Sequence, residues 1–374
     1  MPDWLAEATE QLTDVVGDQA AEWDLAGLLP VETLRTLGKQ GLLCAEVPVE
    51  HGGIGARSAD NGAFTAHVGS LCSSLRSVMT SQGMAAWTVQ RLGDARQRRE
   101  FLPRLTGGEL TAVAFSEPGA GSDVTAMTTE IRRDGDAVVI DGGKTWTTAA
   151  RYADLIVVFG RYGDGGGAVV VPADTPGVTI RPVPAPSGCR AAGHADVTLD
   201  SVRLPLGAVL GGGGQPLPLL VTTALAYGRM SVAWGCVGIL RACLSAAGAH
   251  ASGRRQFGLP LAEHQLVGRH LAELLAAEQV ATRVCEHASR CWDDRSPEMV
   301  IATVLAKYVS STEAARGAAA AVQVLASAGA QDGHVVARAY RDAKLMELIE
   351  GSTEICQIIL ARHAAAQASR REPA

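Results

Sequence analysis

The chain of 374 residues is long enough for about two to three folding units with ample buried core, so its stability does not depend on disulfides or structural metals. Its 33 basic and 39 acidic side chains give a formal net charge of -6. That balance argues against a nucleic-acid-binding protein, because phosphate contacts need clustered Lys and Arg.

Cysteine usage and the N-terminal residues indicate in which cellular compartment the protein is expected. The eight cysteines are scattered, without a Cys-x-x-Cys pair or a Cys/His cluster at metal-ligand spacing, and this predicts buried thiols in a reducing compartment. The first residues lack a basic segment followed by an apolar one, and no uninterrupted apolar stretch reaches membrane-spanning length. We therefore expect a cytoplasmic protein with neither a membrane nor a nucleic-acid partner.

The predicted elements divide the chain into three domains. Helical patterns with few Gly or Pro dominate residues 1–110 and predict an N-terminal helical domain. In residues 111–215, β-branched runs at 137–140 and 168–171 alternate with turn signals, which predicts a middle antiparallel β-domain. Long Ala- and Leu-rich segments in residues 216–374 predict four or five helices that form a C-terminal bundle.

The order of helices, strands and helices predicts an α+β fold and excludes a doubly wound nucleotide-binding fold, because βαβ alternation is missing. The Gly-rich runs at 163–167 and 211–214 are expected to be loops between strands or between domains. Neither fits the phosphate-binding pattern of strand, Gly-x-Gly-x-x-Gly and helix. A Gly-x-Ser-x-Gly nucleophile elbow is also missing, so the sequence gives no support to a hydrolase.

A candidate catalytic base, Glu350, lies at the junction of two predicted helices. Apolar residues at helical spacing precede it, Gly351 can end that helix at C′, and Ser352 can cap the next one. Its neighbours Leu348 and Ile349 are apolar, and a desolvated carboxylate titrates nearer neutrality, where it can accept a proton from a weak carbon acid. From the local pattern alone, a solvated surface glutamate is the commoner interpretation.

Five segments, in order along nearly the whole chain, resemble the acyl-CoA dehydrogenase family. The strongest match is Phe-Ser-Glu-Pro-Gly-Ala-Gly-Ser-Asp at 115–123, which is similar to the family signature Thr-Glu-Pro-x-Ala-Gly-Ser-Asp. Two further matches are 41–55 in the helical domain and Gly-Lys-Thr-Trp-Thr-Thr at 143–148. The last two are Arg-Arg-Gln-Phe-Gly-Leu-Pro-Leu at 254–261 and the segment 341–355, which contains Glu-Gly-Ser-Thr-Glu-Ile. Chance agreement at five ordered positions is negligible.

The resemblance implies an N-terminal helical domain, a middle β-domain and a C-terminal four-helix bundle that together enclose FAD. It implies that the flavin is contacted by the signature residues Phe115 and Ser116, by the Trp146 ring, by Thr148 near N5, and by Ser352. From composition alone, the indole could instead fill a core and the threonine could instead pair in a strand.

The resemblance also implies contacts between subunits. Arg254, Gln256 and Phe257 would reach the FAD pyrophosphate of a neighbouring subunit, and Gln323 would meet its adenosine portion. Glu354, one turn after the base, is either an acidic residue at a helix start or an FAD contact. A homo-oligomer, either a dimer or a tetramer, is therefore expected.

The implied reaction is desaturation of an acyl thioester between Cα and Cβ. It needs a base for the α-proton and a hydride acceptor over the β-carbon, and the resemblance assigns these roles to Glu350 and flavin N5. Hydrogen bonds from the ribityl chain and from the backbone N–H of the base would polarise the thioester carbonyl. Ser122 and Arg229 are the implied substrate contacts.

Departures from the family pattern concern the substrate. Ala149, Ala226 and Ile349 stand where many members have Asn, Asp and Tyr, and the segment 326–330 replaces a Gly-Gly-x-Gly-Tyr element. With the Ala-, Gly- and Arg-rich usage, these departures are similar to the branch that helps make hydroxymalonyl- and methoxymalonyl-carrier-protein extender units in polyketide pathways. That branch uses a short oxygenated acyl group on acyl carrier protein. Carrier proteins are acidic, so a net charge of -6 would require a local basic rim.

Three alternatives stay open at this point. One is a short- or branched-chain acyl-CoA dehydrogenase that passes electrons to an electron-transfer flavoprotein. Another is a flavin oxidase or monooxygenase on the same scaffold, with oxygen as the acceptor. The third is a binding protein that keeps the fold without catalysis.

Overall fold

The structure is a computed structural model that describes residues 2–371, and its elements fall into three successive groups. In the first group, α1 buries Leu5, Ala8, Leu12 and Val16 at helical spacing. A capping box between Asp94 and Gln97 starts the last helix of this group. The helices are α1 (Asp3–Val16), α2 (Gln19–Ala26), α3 (Val31–Lys39), α4 (Ser58–Leu71), α5 (Ser73–Leu92) and α6 (Ala95–Thr106).

The middle group forms a seven-stranded sheet with the order β1-β4-β2-β3-β7-β6, in which β5 pairs with β4. Turn signals at Asp134-Gly135 produce a tight hairpin, with Asp134 opposite Ala137 and Gly135 at φ 66°. The strands are β1 (Thr111–Ala114), β2 (Glu130–Asp134), β3 (Ala137–Thr147), β4 (Leu155–Tyr162), β5 (Gly165–Pro172), β6 (Val178–Pro182) and β7 (Ala195–Pro205).

The prediction of an antiparallel sheet is wrong for two pairs of strands. β4 runs parallel to β1 and parallel to β2, whereas the other pairs in this sheet are antiparallel. The turn signals in the sequence identify hairpins between consecutive strands. They carry no information about the partners of β4. This strand follows the β2–β3 hairpin in the chain, yet it pairs with β1, which precedes that hairpin. The sheet is therefore mixed.

The third group contains five helices within the described residues, in agreement with the expected four or five. Its elements are α7 (Leu217–Gly253), β8 (Arg255–Gln256), β9 (Leu259–Pro260), α8 (Gln265–Asp293), α9 (Met299–Leu325), α10 (Val335–Leu348) and α11 (Thr353–Arg371). The predicted domain limits after residues 110 and 215 fall shortly before β1 and α7, and they remain predictions.

Helix α7 occupies the centre of the molecule. It packs against α4 and α5 of the first group and against α8, α9 and α10 of its own group. Its 37 residues are long and apolar enough to cross a membrane, but 61% of its most apolar window is buried inside the protein. This burial identifies a core helix.

An ion-pair network joins the three groups near the end of α2. Asp24 accepts a hydrogen bond from Arg341 of α10 and lies 3.6 Å from Arg190, which precedes β7. Asp332 pairs with the same two arginines at 3.0 and 3.1 Å. Asp24 is buried, and these contacts tie α2 to α10 and to the segment before β7.

Candidate active site

A cleft of about 510 Å³ lies where the three groups of elements meet. Its walls come from α5, the segment 115–124 after β1, the end of β3, the first turns of α7 and the turn between α10 and α11. Volumes of this size are typical of sites that bind small organic molecules. The cleft is therefore the candidate active site.

The cleft brings together most of the residues that the sequence singled out. Its lining includes Phe115, Ser116, Ser122, Trp146, Thr148, Arg229, Glu350 and Ser352. The remaining candidates lie outside it, namely Arg254, Gln256, Phe257, Gln323 and Glu354.

Glu350 lies in the turn between α10 and α11, and its own backbone is left-handed. α10 ends at Leu348, Glu350 has φ 56°, and Gly351 has φ 89°. The prediction that Gly351 stands at C′ is wrong, because Ile349 is the C-cap and Glu350 itself takes C′. A residue other than Gly in this region costs about 1–3 kcal/mol and persists only when its surroundings hold it there.

Two buried cations hold the turn. Lys307 of α9 donates from Nζ to the carbonyl oxygens of Glu347 at 3.1 Å and Gly351 at 2.7 Å. Arg229 of α7 donates from Nε to the carbonyl oxygen of Glu350 at 3.0 Å. The backbone of the catalytic turn is thus fixed by side chains from two other helices.

The Glu350 carboxylate faces the cleft with little compensation for its charge. Its Oε2 is shielded from solvent and has no hydrogen-bond partner among residues 2–371. Burial raises its pKa to about 7, although the positive charges of Arg229, Lys307 and Arg76 oppose that shift. Gly228 of α7 makes room for it, since a Cβ there would lie 2.1 Å from Oε2. Such a carboxylate can accept a proton near neutral pH.

A buried glutamate, Glu117, shapes the signature turn after β1. Its Oε1 accepts a hydrogen bond from Lys144 Nζ at 2.8 Å, and Lys144 also donates to the Phe115 carbonyl oxygen at 3.1 Å. The backbone N–H groups of Thr128 and Thr129 donate to its two oxygens. Burial would raise the pKa of Glu117, but these hydrogen bonds hold it at about 2. This residue is a structural anion that fixes the cleft wall.

Trp146 reaches the cleft because β3 is irregular at its end. The pairing of β3 with β7 shifts between Lys144 and Thr147, and Trp146 takes φ 54°. Asp196 of β7 accepts from its backbone N–H at 3.1 Å. The indole is 50% exposed and lies 5.7 Å from the His194 ring between centroids. It therefore does not fill a core and is available to a ligand.

Thr148 follows the last residue of β3 and pairs with a side chain. Its hydroxyl lies 3.2 Å from His194 Nδ1. Ala149, which stands where many family members have Asn, has φ 63° and donates from its N–H to the Ala192 carbonyl oxygen at 3.0 Å. Asn tolerates this backbone region better than Ala does, so the position is strained here.

The sequence did not indicate three of the charged or polar side chains around the cleft. Arg76 and His194 line it, and Lys307 holds the turn of the base from behind. The one available signal was Arg76, because it is a lone charge among the uncharged residues that begin α5. Burial and the nearby Arg76 lower the pKa of His194 to about 4, so its ring is neutral at pH 7.

The candidates outside the cleft lie on the protein surface. Arg254, Gln256 and Phe257 lie at the end of α7 and in the short β8–β9 hairpin, where the Phe257 ring is 96% exposed. Gln323 of α9 and Glu354 in the first turn of α11 are also exposed. In one chain these side chains meet no common site, so their cofactor roles remain predictions that need a second subunit.

The cleft residues fit a flavin ring. Trp146 and Phe115 offer flat apolar surface, and the hydroxyls of Ser116 and Thr148 offer polar contacts nearby. His194 Nε2 is buried and has no partner among the described residues, as expected of an atom that forms its hydrogen bond with a bound ligand.

Comparison with known proteins agrees with this arrangement. Models of the three acyl-CoA dehydrogenase domains match the chain in order: the N-terminal domain at residues 3–109, the middle domain at 112–202 and the C-terminal domain at 219–365. The chain is 32% identical over 355 residues to the Bacillus subtilis protein named "Probable acyl-CoA dehydrogenase YngJ", covering 93% of each chain. It is 30% identical to the human mitochondrial short-chain specific acyl-CoA dehydrogenase, covering 92% of this chain and 85% of that one.

Solved structures give the same result. The structure of FkbI, described as serving the biosynthesis of the methoxymalonyl extender unit of the polyketide Fk520, matches with 66% identity and a TM-score of 0.92, covering 96% of this chain and 99% of that one. A glutaryl-CoA dehydrogenase from Mycobacterium smegmatis in complex with FADH2 matches with 25% identity and a TM-score of 0.91, covering 98% and 95%. The chain belongs to the acyl-CoA dehydrogenase family and is an FAD-dependent oxidoreductase.

Proposed function

We propose that this protein dehydrogenates a short oxygenated acyl group on acyl carrier protein, in the formation of a methoxymalonyl-type polyketide extender unit. The observation that carries this proposal is the 66% identity to FkbI, which is about twice the identity to YngJ and to the human acyl-CoA dehydrogenase. That likeness extends over 96% of this chain and 99% of the FkbI chain.

The size of the cleft supports a short acyl group. The cleft measures about 510 Å³, and a flavin ring and the reacting acyl group must share it. Leu225, Val221 and Pro218 of α7 close one side with apolar surface, which excludes water from the reacting carbons.

Glu350 is the proposed base. Its carboxylate would take the proton from the activated carbon of the thioester, while bound FAD supplies the acceptor for the hydride. The pKa of about 7 makes the deprotonated form available at neutral pH and keeps it basic enough to act. Arg229 and Lys307 hold the backbone of the turn, so the base is preorganised before the substrate binds.

The other cleft residues have positioning roles in this proposal. Trp146, Phe115, Ser116 and Thr148 would orient the flavin ring, and Ser352 would contact the cofactor beside the base. Ser122 at the exposed mouth and Arg229 inside would contact the thioester. Each of these roles is tested by the effect of substitution on the flavin spectrum or on thioester affinity.

The proposal extends to partners and location. Arg254, Gln256, Phe257, Gln323 and Glu354 would complete FAD binding across a homo-oligomer, either a dimer or a tetramer, and the 96% exposure of Phe257 supports a partner surface there. An electron-transfer flavoprotein or oxygen would reoxidise the cofactor. We place the enzyme in the cytoplasm, where its eight free, buried cysteines stay reduced.

A second candidate is a short- or branched-chain acyl-CoA dehydrogenase. The observation in its favour is the 30% identity to the short-chain specific acyl-CoA dehydrogenase over 92% of this chain. The two candidates differ in the carrier of the acyl group, and that difference is directly measurable.

The deciding experiment is an anaerobic titration of the yellow, FAD-loaded protein with the same acyl group on carrier protein and on CoA. Bleaching of the oxidised flavin by the carrier-protein thioester, with weak bleaching by the CoA thioester, is expected. Equal or faster bleaching by the CoA thioester would replace the proposal with the second candidate. Bleached enzyme is then exposed to oxygen, and rapid return of the colour would identify an oxidase.

A further inference from the structure

Three exposed arginines flank the turn between α5 and α6, outside the lining of the cleft. Arg91 lies in the last turn of α5, and Arg98 and Arg99 lie in the first turns of α6. None of the three forms an ion pair with another residue that the structure describes, whereas the other two arginines of α6 pair with glutamates. These three side chains form an arginine patch whose charge is free for a partner.

The fold holds two of these arginines in place. The guanidinium carbon of Arg91 lies 5.3 Å from the centroid of a Trp87 ring, which is a cation–π contact. Arg98 donates from Nε to the carbonyl oxygen of Gly93 at 3.0 Å. Because the two side chains are already ordered, less conformational entropy is lost when they bind a partner.

Trp87 connects the arginine patch to the wall of the cleft. Its Nε1 donates to the carbonyl oxygen of Thr223 in α7 at 2.9 Å. The α7 residues around Thr223 line the cleft, among them Pro218, Thr222 and Leu225. Pro218 is exposed as well, so the first turn of α7 marks the mouth of the cleft. The arginine patch therefore lies beside this mouth.

The surface next to the arginine patch is open and partly apolar. The glycine run 211–214 packs against the end of α5, where a Cβ on Gly211 would lie 2.3 Å from the carbonyl oxygen of Leu92. Since this run has no side chains, it covers neither the arginines nor the start of α7. Leu219, in the first turn of α7, is 55% exposed. A positive and an apolar surface thus meet at the mouth of the cleft.

The charge of this region is opposite to that of the whole chain. Residues 91–100 contain four arginines and two acidic residues, whereas the chain carries a formal net charge of -6. Both acids are already engaged, because Asp94 caps α6 and Glu100 pairs with Arg96. An acidic protein is repelled by the net charge and attracted by this patch, so the patch both selects and orients it.

We propose that the arginine patch is the docking surface for an acidic acyl carrier protein, whose pantetheine arm enters the cleft past Pro218. The inference rests on the proposed function, because it takes the acyl group to arrive on such a protein. It supplies the local basic rim that a carrier-protein partner requires of a chain with this net charge. The arginines lie on the exposed faces of two helices and not in the cleft, which suits the broad surface of a protein better than the nucleotide of CoA.

The test changes only the carrier of the acyl group. FAD-loaded wild type and Arg91→Glu/Arg98→Glu are titrated anaerobically with one short oxygenated acyl group on carrier protein, on CoA and on pantetheine, and flavin absorbance reports the Kd. Charge reversal should raise the Kd of the carrier-protein thioester by about 10-fold or more, mainly through slower association. The Kd of the pantetheine thioester should stay within about 2-fold of wild type, because this molecule has no protein to dock.

Arg283→Glu/Arg316→Glu is the matched control. It makes the same change in net charge on the exposed surfaces of α8 and α9, which do not line the cleft. At an ionic strength of about 0.15 M, charges more than about 8 Å from the carrier are largely screened, so this variant should bind it within about 2-fold of wild type. Equal weakening by the two double variants would mean that only overall charge matters, and would overturn the docking surface.

The CoA thioester tests the other occupant of the arginine patch. If the reversal at Arg91 and Arg98 weakens the CoA thioester as much as the carrier-protein thioester, the patch serves a nucleotide phosphate and the proposal is wrong. Arg91→Gln/Arg98→Gln removes the two charges without adding new ones, and it should weaken carrier binding less than the reversal does. Its Tm should remain close to that of wild type, because both residues are exposed and unpaired among the described residues.

This inference and the proposed function fail in different ways. Bleaching by the carrier-protein thioester that Arg91→Glu/Arg98→Glu retains at wild-type Kd keeps the proposed function and overturns the docking surface. If no acylated carrier protein bleaches the flavin, fluorescence anisotropy with the unacylated holo carrier protein decides. Binding to wild type that the charge reversal weakens by about 10-fold or more supports the docking surface, and a wild type that does not bind the holo carrier protein overturns it.

Discussion

Glu117 and Glu350 lie in two segments that form the cleft, and the hydrogen bonds to their carboxylates differ. The Glu117 carboxylate receives a lysine and two backbone N–H groups, and its pKa is held at about 2. Glu350 Oε2 receives no hydrogen bond from the described residues, and burial raises the pKa of Glu350 to about 7. The comparison shows how one type of side chain becomes a structural anion in one place and a base in another.

The two turns are also held in opposite ways. At Glu117 the carboxylate is bonded and thereby orders the backbone of residues 115–129. In the turn of Glu350, Lys307 and Arg229 donate to backbone carbonyl groups, and Oε2 of the carboxylate has no partner among residues 2–371. A base needs this second arrangement, because hydrogen bonds to its oxygens would lower its proton affinity.

The largest expected effect is on catalysis in Glu350→Gln. Loss of the base should lower kcat by about 10²–10⁴-fold, the usual contribution of general base catalysis. Because the lost carboxylate oxygen has no partner among the described residues, Tm should be unchanged or higher. Anaerobic flavin bleaching measures the first effect and thermal unfolding the second. A variant that retains wild-type bleaching would show that the base lies elsewhere.

Glu117→Gln should give the converse result, a large loss of stability. Removing one partner of a buried pair leaves Lys144 uncompensated and should lower the free energy of unfolding by about 3–5 kcal/mol. The matched control is Glu100→Gln, which breaks an exposed pair with Arg96 and should cost about 1 kcal/mol or less. Denaturant unfolding measures both variants. Equal losses in the two would contradict the structural role of Glu117.

Gly228→Ala should damage the base without unfolding the protein. The new Cβ would lie 2.1 Å from Glu350 Oε2, so the carboxylate must move, and a displacement of about 1 Å can cost about 10²-fold in rate. The clash is with the end of a side chain, so Tm should change little. Gly248→Ala on the same helix is the control, because its Cβ would meet open space. Equal rates in the two alanine variants would count against the placement of Glu350.

The pH dependence of the rate should report Glu350. Its base form is lost as pH falls below about 7, so kcat/KM should decline by about 10-fold per pH unit on the acidic side. A rate that stays constant down to pH 5 would mean that the catalytic group has an ordinary carboxylate pKa.

The two glutamates should contribute to the pH dependence of the free energy of unfolding with opposite signs. The folded-state pKa of Glu350 is raised from 4.5 to about 7, so the folded protein binds its proton more tightly, and this contribution to stability is lost as pH rises through that window. The pKa of Glu117 is depressed to about 2, so its contribution is present above 4.5 and is lost as pH falls toward 2. Denaturant unfolding of wild type, Glu350→Gln and Glu117→Gln at pH 3 to 8 checks both slopes.

Much of this protein follows from local sequence alone. Asp134-Gly135 determines a hairpin because Gly accepts positive φ, and the three-part division follows from changes in hydrophobic period. The junction of two helices at Glu350 was also predictable from sequence. So was the capping of α11 by Ser352, whose Oγ accepts from the Ile355 N–H at 3.5 Å. The segments that resemble the family also contain residues that line the cleft, among them Ser116, Trp146 and Glu350.

The tertiary structure alone decided the remaining features. The parallel pairing of β4 with β1 and β2 joins strands that local turn signals do not relate. The supports of the base, Arg229 and Lys307, come from helices far from Glu350 in the chain, as do Arg76 of α5 and His194 before β7. The raised pKa of Glu350 has the same origin, because burial and long-range charge depend on which distant elements pack around a residue.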